Sequence, residues 1–171
     1  MARNHIMQHT AKRKKGLSIV ELIIYMGLLS ILLVVLTDVF VSIIDVRKES
    51  EAVSAVEQDG NYILARLFYD VSRASSISTP ASLGASTSSL LITIGGVNYT
   101  YSLNGSNLQL VNNNGTDVLN SINTTVSSPT FLRIGNSGGK NTIQISFTVS
   151  SVTQRNHGPE TKTYQTSVGL R

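Results

Sequence analysis

The chain has 171 residues, no cysteine, 14% charged residues and a formal charge of +4. Its length suits one modest domain with extensions, and the missing cysteine excludes a disulfide framework, a thiolate metal site and a cysteine nucleophile. Five of the 14 basic residues (Arg3, Lys12, Arg13, Lys14 and Lys15) stand in the first sixteen positions, which hold no acid, while the other nine nearly balance ten acids. The basic excess therefore belongs to the N-terminus, and the pI supports no nucleic-acid inference.

Residues 1–16 read as a basic leader. The stretch "KRKKGLSIVELIIYMGLLSILLVV" then turns apolar, and Leu22 to Leu36 departs from strong apolarity only at Tyr25, Gly27 and Ser30. From Leu17 the run spans about 20 residues, roughly 30 Å as a helix, which is enough to cross a bilayer core. Basic residues before a span stay in the cytoplasm, so the C-terminal bulk is expected outside. A secretory signal is cut at a small-residue site after its apolar run. No convincing site of that kind follows Leu36, whereas Gly16 stands before the run. Residues 17–40 form the expected membrane half of a helix, with Asp38 at the outer membrane–water boundary.

From Asp45 to about Ser75, Val46, Val53, Gly60 and Leu67 recur every seven residues, with Val56, Ile63, Leu64, Phe68 and Val71 beside them. That pattern is one apolar face at helical period, and Arg47, Lys48, Glu51, Glu57 and Asp59 are expected mostly away from it. No proline interrupts Leu17 to Ser75. The prediction is one continuous helix whose amphipathic half, 41–76, lays its stripe on the rest of the protein. "SSISTPASLGASTSS" then ends it with Pro80, Gly84 and many hydroxyl side chains.

Residues 77–171 form a β-rich head. "SLLITI", "VNYTYSL", "SNLQLV", "TFLRI", "NTIQISFTVSS" and "TKTYQTSVGL" read as strands, and "LNGSN" and "NNNGT" as hairpin turns. Short successive strands without long crossovers imply an antiparallel meander, one face of which covers the helix stripe. The fold class expected is α+β, a long N-terminal helix packed on an antiparallel sheet head.

Glu21 is the anomaly. A carboxylate in the apolar part of a span costs a few kcal/mol, somewhat less near its end, and calls for a partner. Cutting after Gly16 creates an α-amino group on Leu17, four residues before Glu21 on the same helical face. That amine is badly placed at the positive end of the helix dipole, and a carboxylate one turn later offsets it. The same carboxylate can instead take the amine of a neighbouring chain and so set the stagger between packed helices.

"KKGLSIVELIIYMGLLSILLVV" resembles the processing and methylation site of type IV pilins and pseudopilins. The resemblance covers about the first 40 residues. It implies that a prepilin peptidase cuts the Gly16–Leu17 bond and N-methylates Leu17, and that Glu21, fifth in the mature chain, acts in assembly. "LFYDVSRASSI", "VNYTYSLNGSNLQLVNNNGTDVL" and "TYQTSVGLR" resemble, more loosely, the larger J-type pseudopilins and W-type minor pilins. The first mature residue is Leu17 where the family commonly has Phe. Asp38 stands where many major pilins carry a proline, and their C-terminal disulfide loop is missing. These departures point to a minor subunit or pseudopilin.

The resemblance implies a membrane-held precursor, leader in the cytoplasm and head outside, that later joins an extracytoplasmic filament, whether a pilus, a type II secretion pseudopilus or a DNA-uptake filament. Its partners would be the peptidase, other pilin-like subunits and membrane lipid before assembly. No cofactor, metal or catalytic role is expected, nor a nucleic-acid or small-molecule ligand. His5 and His9 lie in the leader and His157 in a loop. No Ser-His-Asp set, H-E-x-x-H or phosphate-loop spacing is present. Asp70 and Arg73 near the helix end read either as a tie to the sheet or as a surface ion pair of little worth. The alternative function is an uncleaved signal-anchored protein whose β-rich head binds a ligand.

Overall fold

In a computed structural model, described for residues 16, 18–136, 138–155 and 157–171, the chain forms one helix followed by nine strands. The leader up to Lys15 and Leu17 itself lie outside the described residues. Contacts divide the chain into two compact units, Met1–Ser42 and Ile43–Arg171.

The helix α1 runs Ile19–Arg73. Its interior contains no proline, and Glu21 in the first turn and Arg73 in the last both suit the helix dipole. The last turn tightens, with Ala74 N–H donating to Val71 O at 3.1 Å, before the chain turns into the first strand.

In the second unit, the strands are β1 (Ser76–Thr79), β2 (Ser86–Thr87), β3 (Leu90–Ile94), β4 (Val97–Asn104), β5 (Asn107–Asn112), β6 (Gly115–Val118), β7 (Thr124–Ile134), β8 (Thr142–Ser151) and β9 (Thr161–Gly169). They form two antiparallel sheets rather than the single meander expected from sequence. One has the order β1-β3-β4-β5-β6 and the other β2-β7-β8-β9. The physical cause lies in the "breaker" segment. Its hydroxyl-rich residues supply β1 to the first sheet and β2 to the second, so the chain visits both before the hairpins begin.

The hairpin turns follow their residues. Ile94 pairs with Val97 around Gly95 and Gly96, both at positive φ (57° and 81°), as a two-residue turn matched to strand twist demands. Asn112 Oδ1 accepts from the N–H of Asn114 at 2.8 Å and shapes the β5–β6 turn, so "NNNGT" is a hairpin turn. β7 is longer than "TFLRI" because it continues through a bulge between Ser127 and Thr130. Pro129 sits there without breaking the strand.

Alternation fixes which side chains go inward. Along β8, Ile143, Ile145, Phe147 and Val149 are buried at every second position, and Leu90, Ile92 and Ile94 do the same on β3. These meet Val56, Ile63, Leu67 and Val71 of α1 in one core. The helix stripe differs from the sequence reading at three places. Val46 and Phe68 are exposed, whereas Asp59 is buried. The stripe in contact is Ala52, Val56, Asp59, Gly60, Ile63, Leu67, Asp70 and Val71, and it tolerates two carboxylates because Thr124 of β7 and Tyr101 of β4 supply donors for them.

Candidate functional site

The candidate site is the N-terminal part of α1. Every large apolar side chain from Ile19 to Ile44 is exposed. The most apolar 18-residue window has a mean hydropathy of 2.7 and no buried residue. By length and composition this helix can cross a membrane.

Three of its hydroxyls bond along the helix itself. Ser30 Oγ donates to Met26 O and Thr37 Oγ1 to Leu33 O, both at 2.8 Å, and Ser42 Oγ donates to Asp38 O at 2.9 Å. Such bonds one turn back hide hydroxyls from an apolar surrounding, as a helix in lipid requires. Tyr25 behaves differently. Its hydroxyl donates to Glu21 Oε1 at 3.1 Å, side chain to side chain. No other described residue bonds the Glu21 carboxylate, and no cation pairs with it among them.

Gly16 is exposed, with open space where a Cβ would stand. Leu17, the expected acceptor of the methyl group, is outside the described residues. Sequence reasoning missed the role of Tyr25. The available signal was its spacing, since residue i+4 leans back over residue i on a helix.

In the second unit, polar contacts tie the helix to the sheets. Asp70 is buried and accepts from Tyr101 of β4 and from Arg66 Nε at 2.9 Å. Burial first, and then the Asp70 carboxylate, raise the Tyr101 hydroxyl well above its ordinary pKa. Burial opposes the charge of Arg66, yet Asp70 and Tyr101 together raise its pKa. The expectation that Asp70 ties helix to sheet therefore holds, but through Tyr101. Arg73 turns away and stacks on the Tyr69 ring, 4.6 Å from its centre. Asp59 Oδ2 accepts from Ser121 N–H (2.8 Å), Ser121 Oγ (2.7 Å) and Thr124 Oγ1.

Arg155 bridges Glu49 of the helix and Glu160 of its own loop. The groove beside it, ≈ 250 Å³, is also lined by Lys48 and His157. Among the described residues, no group of three or more His, Cys, Asp or Glu is placed to hold a metal.

No family model matches the chain, and no curated protein and no solved structure matches it. The architecture itself is an α+β fold with a long apolar N-terminal helix and antiparallel sheets, compatible with a membrane-anchored protein.

Proposed function

We propose that this chain is a minor pilin or pseudopilin, a structural subunit of a type IV pilus-like filament. The observation that carries the reading is Glu21. It is an exposed carboxylate on a helix that is apolar all round, one turn and a residue beyond Gly16, with no cation among its described neighbours. Together with the basic leader and the β-sheet head, it fits a precursor in which cleavage supplies Glu21 with a cation.

In this reading the leader stays in the cytoplasm and the head outside, with the span between them. A prepilin peptidase hydrolyses the Gly16–Leu17 bond, freeing an α-amino group that is then methylated. Assembly moves the helix from lipid into the apolar core of a helical filament. Lipid contacts are exchanged there for helix contacts, so apolar burial alone discriminates poorly between registers. A carboxylate without a cation costs a few kcal/mol in such surroundings, and Glu21 therefore selects the stagger at which it meets an amine, its own or a neighbour's. Cohesion comes from the helices and register from the charge pair. The head faces outward and contacts other subunits.

The test is Glu21→Ala in a host carrying the matching filament machinery. The expected outcome is cleavage with strongly reduced incorporation into sheared filaments. Processing, methylation and assembly equal to wild type would remove the reading.

A further inference from the structure

Glu21 has one described partner, and it lies on the side away from the new N-terminus. Tyr25 stands one helical turn further on, and its hydroxyl donates to Oε1 at 3.1 Å. The hydroxyls of Ser30, Thr37 and Ser42 are spent on backbone carbonyls of the preceding turn, at Met26, Leu33 and Asp38. Tyr25 instead brings its donor to a side chain. Its ring is apolar and more than half exposed, as are the residues around it. Phenylalanine would suit such a surface equally well, so the one thing tyrosine adds at this position is the O–H.

We propose that Tyr25 is the positioning residue for Glu21. Its hydroxyl holds one carboxylate oxygen while the unassembled helix lies in lipid, and leaves Oε2 to receive an α-amino group. This deepens the reading of the chain as a pilin-like subunit and rests on it for the part played in assembly. Two physical needs are met together. A hydrogen bond to a carboxylate in a low-dielectric surrounding stabilises its charge when no cation is present. A side chain pinned at one oxygen also loses less rotamer freedom when the amine arrives. The phenol donates one proton only, so it cannot neutralise the carboxylate and leaves the charge available for pairing.

The test uses the full chain in phospholipid vesicles and dicyclohexylcarbodiimide, an apolar reagent that attacks carboxyl groups within lipid. Labelling at Glu21 is followed by peptide mass spectrometry. Removing the hydroxyl in Tyr25→Phe is expected to speed labelling about fivefold, the ratio worth one hydrogen bond. Thr37→Val, which deletes a hydroxyl bonded only to Leu33 O, is expected to label at the wild-type rate. Glu21→Gln defines the background. Equal rates for Tyr25→Phe and wild type would overturn the proposal, as would the same acceleration in Thr37→Val.

A parallel co-expression with prepilin peptidase separates the two levels of the account. Leader removal with unchanged labelling in Tyr25→Phe defeats the part assigned to Tyr25 and spares the filament reading. A retained leader with accelerated labelling preserves the hydrogen bond but defeats its role in assembly. With both intact, Tyr25→Phe is expected to be cleaved like wild type and to lose incorporation into filaments. Undiminished incorporation would confine the hydroxyl to the lipid-bound state and overturn its positioning role.

Discussion

The ring of Tyr164 occupies the space that a side chain on Gly60 would need. A Cβ built on Gly60 would lie 2.1 Å from Tyr164 Cζ. The ring is also held from two other sides. Its hydroxyl donates to Val56 O at 2.9 Å, and its face stacks on Phe147 with ring centres 5.6 Å apart. A glycine in mid-helix costs about 1 kcal/mol against alanine. Here that cost is offset by letting a buried aromatic side chain of β9 reach the helix backbone.

Gly60→Ala should therefore destabilise the protein despite its better helix propensity. Displacing the ring strains the core and weakens both the hydrogen bond and the stack, for a net loss of about 2 kcal/mol. Urea unfolding of the detergent-solubilised chain measures it. The cost should largely vanish when Gly60→Ala is made in a Tyr164→Ala background, since the clash is then gone. Additive effects would show that the ring does not set the requirement for glycine.

Asp59 gathers the N–H and Oγ of Ser121 and the hydroxyl of Thr124 onto a single oxygen. Asp59→Ala leaves those donors without their acceptor, Thr124 within the core. The expected loss is about 2–4 kcal/mol. Amide exchange at Ser121 should rise sharply in the variant while exchange in β8 rises only by the global loss. Unchanged protection at Ser121 would contradict the clamp.

Tyr101 predicts an alkaline weakness. Its folded pKa is raised by burial and by Asp70, whereas in the unfolded chain it titrates near about 10. A group raised on folding contributes stability that is complete below the unfolded pKa and is lost as pH climbs above it. The contribution of Tyr101 should therefore be level below about pH 10 and fall beyond it. Tyr164, also raised by burial, adds to the decline. Tyr101→Phe is expected to be less stable at neutral pH, because Asp70 then keeps only Arg66, but to show a shallower alkaline fall. Urea midpoints on either side of about pH 10 read both effects. An equally steep fall in the variant would move the weakness elsewhere.

Much of this architecture could be read from residue order. The proline-free run from Leu17 to Ser75 foretold one helix, observed as Ile19–Arg73, and the alternation in "NTIQISFTV" foretold the half-buried strand β8. The division into two sheets could not be read. It depends on short strands β1 and β2, made of Ser, Thr and Ile in a segment whose composition signals a loop. Pro129 also hid the first half of β7, because a bulge that accepts proline is a tertiary feature. The buried place of Asp59 was invisible for a related reason. A carboxylate on a helix stripe reads as solvated until donors far along the chain, here Ser121 and Thr124, are known. Glu21 stood out at once, since an apolar run makes any charge conspicuous. Its partner Tyr25 did not, because one more aromatic residue in such a run is unremarked without the 3.1 Å contact.

The Gly16–Leu17 peptide bond decides between a filament precursor and an anchored protein, and it is read by N-terminal and intact mass spectrometry of the chain expressed with and without an active prepilin peptidase. A filament precursor begins at N-methylated Leu17 only when the peptidase is present. A chain that keeps Lys12 to Gly16 beside an active peptidase would contradict the filament reading, and would make this an uncleaved signal-anchored protein whose Glu21 has another purpose.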